Sequence, residues 1–154
     1  MLNFEFYTGK VNNDARQGQG QGYQVVTSLS TQYMDKWHWI AFDNLFTSIP
    51  LVMDLMDKKT YSVGTFRKNR KGYPWKGEKK KDKKGTTKQK QCGNLVATRW
   101  TDKREVNMLS TCADPGSTEV VRKSKDGPVD VLIPNSVKLY NQRMGGVDLA
   151  DQYR

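Results

Sequence analysis

The sequence predicts an α/β fold, and the clearest support is a strand–helix–strand unit in residues 37–67. The run WHWIAFDN (37–44) is nearly continuous in apolar residues, which is typical of a strand covered on both faces. Helix signals follow, with Ser48 in the N-cap position and Pro50 in the first turn. The segment TYSVGTFR (60–67) then alternates like a strand. Because a helix joins the two strands, we expect a βαβ crossover with parallel strands.

Short apolar pieces in residues 93–123 predict a small antiparallel β-meander. They cover residues 95–97, 106–109 and 119–121, and turn signals separate them. The second part of the chain should therefore be richer in antiparallel strands than the first.

The N-terminal part of the chain has three distinct patterns. LNFEFYTG (2–9) alternates apolar and polar residues and predicts a strand, and the Gly/Gln/Asn-rich stretch 12–22 predicts a loop. Residues 23–34 are ambiguous, because their β-branched residues favour a strand. Their apolar positions, however, fall at i, i+1, i+4 and i+8, so we predict a helix.

The positive charge is concentrated in residues 67–90. This stretch has twelve Lys or Arg and two acids, whereas the rest of the chain is neutral, so it accounts for the net charge of +10. Such a block is a solvated stretch with affinity for polyanions. A solubilising loop or nuclear-import-like run, and a nucleic-acid contact, remain alternatives that are compatible with each other. The candidate nucleic-acid-binding residues are Arg67, Lys68, Arg70, Lys71, Lys79, Lys80, Lys81, Lys83 and Lys84.

Two aromatic residues, Tyr73 and Trp75, lie among these cations. They could stack on nucleobases or pack against the core, and we expect packing.

Several classes of protein are disfavoured. No apolar run approaches membrane-spanning length, no secretory signal is visible, and Cys92 and Cys112 are too few for a disulfide framework. A zinc site would need His38 and a carboxylate as well. We expect an intracellular protein, with neither a membrane nor a small-molecule substrate as its partner.

Three acids are candidates for chemistry. Asp43 ends its strand just before the crossover helix, at the edge where open α/β sheets place their sites, although an Asx-type turn with Asn44 also explains it. Asp148 and Asp151 would share one face of a helix that starts at Val137, is broken at residues 145–146 and resumes through 147–151. An acid after a Gly-Gly pair is also a common helix cap. By pattern alone, the turn and the cap explain these acids better than a carboxylate cluster does.

The sequences of two longer segments resemble those of a known family. FDNLFTSIPLVMDLMDKKTYSVGTFRKNRKGYP and YNQRMGGVDLADQYR closely resemble the transposase domain of the piggyBac family and its host-derived relatives. LNFEFYTGK with GYQVV is similar to the family's second catalytic-domain strand and the helix after it, and NMLSTCAD resembles its inserted β-rich segment. The resemblance covers nearly the whole chain.

The resemblance implies an RNase H-like mixed sheet flanked by helices and interrupted by a β-rich subdomain. On this basis residues 1–72 begin the core, 73–92 form a basic flexible loop, 93–133 form the insertion and 134–154 begin the C-terminal catalytic helix. Family members move DNA at TTAA sites using Mg²⁺ or Mn²⁺, hard ions that oxygen ligands suit. Three aspartates hold the metal, and Asp43 matches the second, Asp148 the third and Asp151 an additional nearby acid.

The first aspartate belongs to a strand that would precede Met1, so that first core strand is missing from these residues. Glu5 and Asp14 do not match its position. We therefore expect a partial transposase domain that is catalytically inactive as this chain. The alternatives are a host-retained, non-catalytic DNA-binding module that uses residues 67–90, and an incomplete gene model. The resemblance further implies DNA as partner, a homodimer for the full-length family and a nuclear location.

Overall fold

The computed structural model describes residues 20–78, 82–125 and 127–152, with side chains as far as residue 145 in the last range. The predicted strand at 2–9 and most of the predicted loop at 12–22 lie outside the described residues.

The described part is an α/β structure. Its helices are Gln21–Ser30 (α1), Ile49–Asp57 (α2) and Asn135–Gln152 (α3), with a 3₁₀ turn at Thr31–Tyr33. Its strands are Trp39–Phe42 (β1), Tyr61–Thr65 (β2), Thr87–Cys92 (β3), Leu95–Thr101 (β4), Glu105–Ser110 (β5), Ser117–Ser124 (β6) and Gly127–Pro134 (β7).

Five strands form one mixed sheet in the order β1-β2-β5-β4-β3, and β6 pairs with β7 in a separate ribbon. Strands β1 and β2 are parallel, with Trp39 opposite Tyr61 and Phe42 opposite Gly64, and helix α2 connects them. The other pairs in the sheet are antiparallel. The predicted βαβ unit is thus confirmed.

Helices pack on both faces of the sheet, and of the apolar residues of β1 Phe42 is buried while Trp39 at the start of the strand is exposed. On one face Phe42 packs in a cluster with Leu51, Val52 and Leu55 of α2, and these three side chains are at most 1% exposed. The start of α2 is fixed as predicted, because the hydroxyl of Ser48 accepts a 3.4 Å hydrogen bond from the Leu51 amide.

The other face is covered by α3, whose Val137 packs with Val63, Trp100 and Met108. Since α3 comes last in the chain, this half of the core depends on contacts between distant parts of the sequence. Among the described residues, no helix is both long and apolar enough to cross a membrane.

The helix predicted for residues 23–34 is confirmed by α1 and the following 3₁₀ turn. Its Val26 is buried in the cluster under α2, so the helical period was the correct choice over β-branched propensity.

The last part of the predicted basic flexible loop, residues 73–92, is a strand, because Thr87–Cys92 forms β3. This strand pairs along its whole length with β4, from Thr87 opposite Trp100 to Cys92 opposite Leu95. This half-exposed strand at the sheet edge alternates Lys with Gln, so it lacks the apolar alternation by which a strand is predicted. How the chain divides into structural units stays a prediction.

The predicted meander differs from the observed pairing. Strands β4 and β5 are antiparallel as expected, but they extend the sheet of β1 and β2, because Val63 of β2 lies opposite Ser110 of β5. The third piece, β6, pairs instead with β7, a strand that the sequence analysis did not predict.

Helix α3 also differs from its prediction, since it continues through Gly145 rather than breaking there. A glycine costs roughly 1 kcal/mol in a helix interior, and tertiary packing of a helix can offset a cost of that size.

Candidate active site and basic segment

Asp43 directly follows β1, at the edge where the parallel strands β1 and β2 end. Its carboxylate Oδ1 accepts a 2.6 Å hydrogen bond from the Asn44 amide and a 3.1 Å bond from the Thr65 hydroxyl. The side chain is exposed. Asp43 therefore stands at the carboxyl edge of the sheet, and its side chain bonds the amide of the next residue rather than the amide two residues on that defines an Asx-type turn.

The turn after Asp43 is held by two arginines from the segment after β2. Arg67 Nε donates a 2.6 Å hydrogen bond to the Asn44 side-chain oxygen. Arg70 donates to the backbone carbonyls of Asn44 at 3.3 Å and Leu45 at 2.6 Å. Both arginines were predicted to contact nucleic acid, and in the structure they brace this turn.

Sequence reasoning missed Thr65 and the role of the arginines. A usable signal was present, because parallel strands end at the same edge and the residues just after β2 must lie beside those just after β1.

A glycine permits the close approach of the strands at this edge. A Cβ on Gly64 would lie 2.5 Å from the Thr47 hydroxyl, 2.7 Å from the Phe42 carbonyl and 2.8 Å from the Phe42 ring. Thr47 is fully buried and its hydroxyl donates a 3.0 Å hydrogen bond to the Asp43 carbonyl. Gly64 thus lets β2 and the turn pack together behind Asp43.

Helix α3 crosses the sheet from β4 toward β1. Near its start the Ser136 hydroxyl lies 3.2 Å from that of Thr98, and farther along the Arg143 guanidinium lies 5.1 Å from the Trp39 ring centre. Between these two residues of α3 lies Tyr140, close enough to Asp43 for the carboxylate to affect the pKa of its phenol. Burial raises the pKa of the Tyr140 phenol, the nearby polar group of Thr65 opposes that rise, and the carboxylate of Asp43 adds to it.

Asp148 and Asp151 lie farther along α3. Their side chains are outside the described residues, so their grouping with Asp43 stays a prediction. Among the described residues, no group of three His, Cys, Asp or Glu side chains could hold a metal ion.

Asp43 itself fits the role of one metal ligand. It is an exposed hard-oxygen donor, and within the described part of the chain its Oδ2 accepts no hydrogen bond.

The basic segment, residues 67–90, is anchored to the sheet by Arg99 of β4, whose side chain is 4% exposed. Its guanidinium donates to Glu78 at 2.5 Å and to Asp82 at 2.8 Å, and it lies 5.3 Å from the Trp75 ring centre. Burial opposes the charged form, yet the hydrogen bond with Glu78 and further polar partners hold the pKa of Arg99 above its usual value. Both acids of the segment, Glu78 and Asp82, therefore bond to the buried Arg99, so the neighbouring lysines are not their only cationic partners.

Tyr73 and Trp75 are buried, at 7% and 4% exposed, which confirms that they pack on the core. Their rings contact each other at 5.7 Å in an edge-on arrangement.

The predicted cations of the segment divide by environment. Lys68 pairs with Glu105 at 2.9 Å. Lys71, Lys83 and Lys84 are exposed and form no ion pair within the described ranges. The remaining three lysines, at positions 79–81, lie outside the described residues.

Comparisons with known proteins agree on one family. A family profile described as "Transposase IS4" matches residues 1–154. The human PiggyBac transposable element-derived protein 3 is 31% identical over 165 aligned residues, which cover 97% of this chain and 27% of that protein. The human PiggyBac transposable element-derived protein 2 is 31% identical over 137 residues, covering 84% of this chain and 23% of that protein.

A solved structure agrees as well. A piggyBac transposase, determined by cryo-electron microscopy in a synaptic complex with hairpin DNA, matches with a TM-score of 0.70 and 30% identity. The match covers 92% of this chain and 29% of that one, so the chain spans about a quarter of the length of these relatives. The likeness confirms the predicted RNase H-like fold, and the chain belongs to the piggyBac family of transposases and transposable element-derived proteins.

Proposed function

We propose that this chain forms part of the catalytic core of a DNA transposase, with Asp43 as a metal-binding carboxylate. In its family, transposition follows a cut-and-paste reaction at TTAA sites. The observation that carries the proposal is the exposed Asp43 at the shared carboxyl edge of β1 and β2, which Thr65 and Asn44 orient through Oδ1. A related transposase that was solved with hairpin DNA supports DNA as the partner.

The residues of this chain would position the reacting groups. Asp43, Asp148 and Asp151 would hold Mg²⁺ or Mn²⁺, which when bound activates an attacking hydroxyl and stabilises the leaving oxygen in phosphoryl transfer. Thr65 and the Asn44 amide hold Oδ1 of Asp43, so that its Oδ2, which accepts no hydrogen bond within the described part of the chain, would be available as a metal ligand. Arg67 and Arg70 keep the turn that carries Asp43 in place.

A polypeptide of these 154 residues alone is proposed to be inactive in strand transfer. The family uses three aspartates, and these residues supply matches to the second, the third and an additional acid. We expect no Mg²⁺-dependent nicking or strand transfer on DNA that contains TTAA. Activity that disappears in Asp43→Asn would contradict the inactivity and support the catalytic role of Asp43.

The metal role is tested separately from activity, by Mn²⁺-induced broadening of NMR signals. We expect broadening around Asp43 and Thr65 that Asp43→Asn reduces. Asp57→Asn, which changes an exposed acid at the end of α2, is the matched control and should keep it. Unbroadened signals around Asp43 in the unsubstituted chain would overturn the metal assignment.

A second candidate function is a host-retained, non-catalytic DNA-binding module. It is favoured by the arrangement in which Glu78 and Asp82 pair with Arg99 while Lys71, Lys83 and Lys84 are exposed. Exposed lysines contact phosphates, so affinity should fall with salt.

To test this, Lys71, Lys83 and Lys84 are changed together to Gln and binding to duplex DNA is measured across salt concentrations. The slope of log affinity against log salt should become shallower by about 0.9 for each lysine that contacts a phosphate. Replacing Lys58, Lys123 and Lys125, which are exposed elsewhere, makes the same change in net charge. An equal effect from both triple variants would show that net charge, and not this segment, determines binding.

We also propose a nuclear location, on the basis of the lysine-rich run and the DNA substrate of the family, and a homodimer for the complete protein. A fluorescent fusion of this chain tests the location, and its exclusion from nuclei would overturn it. Sedimentation of the full-length protein tests the dimer, which a monomer at all concentrations would exclude.

A further inference from the structure

A cluster of aromatic side chains, two of them exposed, lies at the start of β1, at the opposite end of that strand from Asp43. The ring of Tyr61 lies 5.3 Å from that of Trp37 and 5.9 Å from that of Trp39. A cavity of about 590 Å³ opens beside them, lined by Tyr33, Trp37, His38, Trp39, Ile40 and Arg143. We call this cavity the aromatic cleft.

The two tryptophans are unusually open to solvent, at 50% exposed for Trp37 and 45% for Trp39. Trp37 also has a backbone φ of +55°, a conformation that bulky residues rarely adopt. Its amide donates a 2.8 Å hydrogen bond to the Lys59 carbonyl, which holds the loop against the end of α2. The fold therefore keeps a strained tryptophan in place without burying it, and such strain concentrates where a side chain has a binding role.

The cleft also has a positive charge. The guanidinium of Arg143 lies 5.1 Å from the ring centre of Trp39, and Arg143 is exposed. A lining of aromatic rings with a cation suits flat, electron-rich groups attached to phosphates better than an aliphatic peptide, because among the described residues Ile40 is the single aliphatic side chain that lines it.

We propose that the aromatic cleft binds unpaired nucleobases of single-stranded nucleic acid, which stack on Trp37 and Trp39 while Arg143 contacts the backbone phosphate. The choice of nucleic acid rests on the proposed function and on the net charge of +10. The cleft adds a preference for unpaired bases, which the lysines do not provide, since they contact phosphates in single and double strands alike.

The test uses the full 154-residue chain and three probes: a short oligothymidylate, an abasic oligonucleotide of the same length, and a duplex. The chain should bind oligothymidylate more tightly than the abasic strand. Trp37→Ala and Trp39→Ala should each weaken binding of oligothymidylate on the order of tenfold, and leave the abasic strand and the duplex unchanged. Trp37→Phe and Trp39→Phe, which keep a ring, should retain most of the affinity.

A matched control is Met53→Ala, which shortens an apolar side chain that is 41% exposed on α2 and should leave all three probes unaffected. In the unsubstituted chain, tryptophan fluorescence should be quenched by oligothymidylate and not by the abasic strand, a result that does not depend on any variant folding.

Equal binding of the base-bearing and abasic strands would overturn the proposal, as would an equal loss of all probes in the alanine variants. If instead segment 1–19 of this chain occupies the cleft, the tryptophan variants will leave oligothymidylate binding unchanged, which also overturns it. Salt-dependent duplex binding without a preference for unpaired bases would refute the cleft proposal alone. Failure to bind any of the probes would refute the proposed DNA partner as well.

Discussion

The Thr65 hydroxyl donates a 3.1 Å hydrogen bond to Oδ1 of Asp43, across the shared end of two parallel strands. The two residues are 22 positions apart, and the crossover helix α2 between them brings their strands side by side. The direction of the candidate metal ligand is therefore set by the neighbouring strand as well as by its own turn.

Thr65→Val removes that hydrogen bond and keeps the shape of the side chain. Because the pair is partly solvent-exposed, we expect a loss of about 0.5–1 kcal/mol in the free energy of unfolding, measured by urea denaturation. A double-mutant cycle with Asp43→Ala should give a coupling energy of similar size. Additive effects of the two changes would show that the bond does not orient Asp43.

Gly64→Ala should be strongly destabilising, because its Cβ would lie 2.7 Å from the Phe42 backbone carbonyl, which cannot move as a flexible side chain can. We expect a loss of about 2–3 kcal/mol, seen as a lower urea midpoint. A variant as stable as the parent would mean that β1 and β2 separate without cost.

Gly145→Ala is the opposite case, since nothing lies within 4 Å of the added Cβ and the helix continues through this position. Alanine has the higher helix propensity, so a gain of about 0.5–1 kcal/mol is expected. Circular dichroism and urea denaturation measure it. A loss of stability would support the break at residues 145–146 that the sequence suggested.

Local patterns were sufficient to predict the elements in the first half of the described chain. The Ser48 cap, the apolar run of β1 and the alternation of β2 each reflect a short-range requirement, and together they gave the parallel pair that places Asp43 at its edge. The family resemblance then supplied the RNase H-like class.

The rest depended on contacts between distant parts of the chain. Strand β3 is rich in lysine and is a strand because β4 offers it a complete ladder, and β5 joins β2 across a long sequence separation. The bracing of the Asp43 turn by Arg67 and Arg70 is likewise tertiary, and a run of positive charge alone suggests free cations. Sequence patterns do not specify such pairings.

Arg99→Ala should cost about 2–4 kcal/mol, because it removes a buried cation that both acids of the basic segment contact and leaves space beside Trp75. The matched control is Arg122→Ala, since Arg122 also lies 5.3 Å from a tryptophan ring, that of Trp100, and also pairs with an aspartate, Asp102. Its side chain is 38% exposed, so a loss within about 1 kcal/mol is expected.

Urea denaturation of the two arginine variants measures both losses. Equal losses would show that burial of Arg99 adds nothing to its contacts.

Glu105 should contribute stability that depends on pH. Burial raises the pKa of its carboxyl, but hydrogen bonds from Lys68 and Asn107 and the nearby positive charges lower it on balance below its ordinary value of 4.5. A carboxyl whose pKa is lower in the folded than in the unfolded protein stabilises the fold above the unfolded value, and that contribution disappears as the pH falls through the folded value.

The free energy of unfolding of the unsubstituted chain should therefore exceed that of Glu105→Gln at pH 7, and the difference should shrink below about pH 4.5. Taking the difference between the two proteins cancels the other carboxyls. Lys68→Gln removes the closest positive partner, 2.9 Å away, and should reduce the same acid-dependent loss, whereas Lys71→Gln, an exposed lysine without an ion pair in the described ranges, should not. A difference between the parent and Glu105→Gln that stays constant from pH 7 to pH 3 would show that the ion pair with Lys68 does not stabilise the fold.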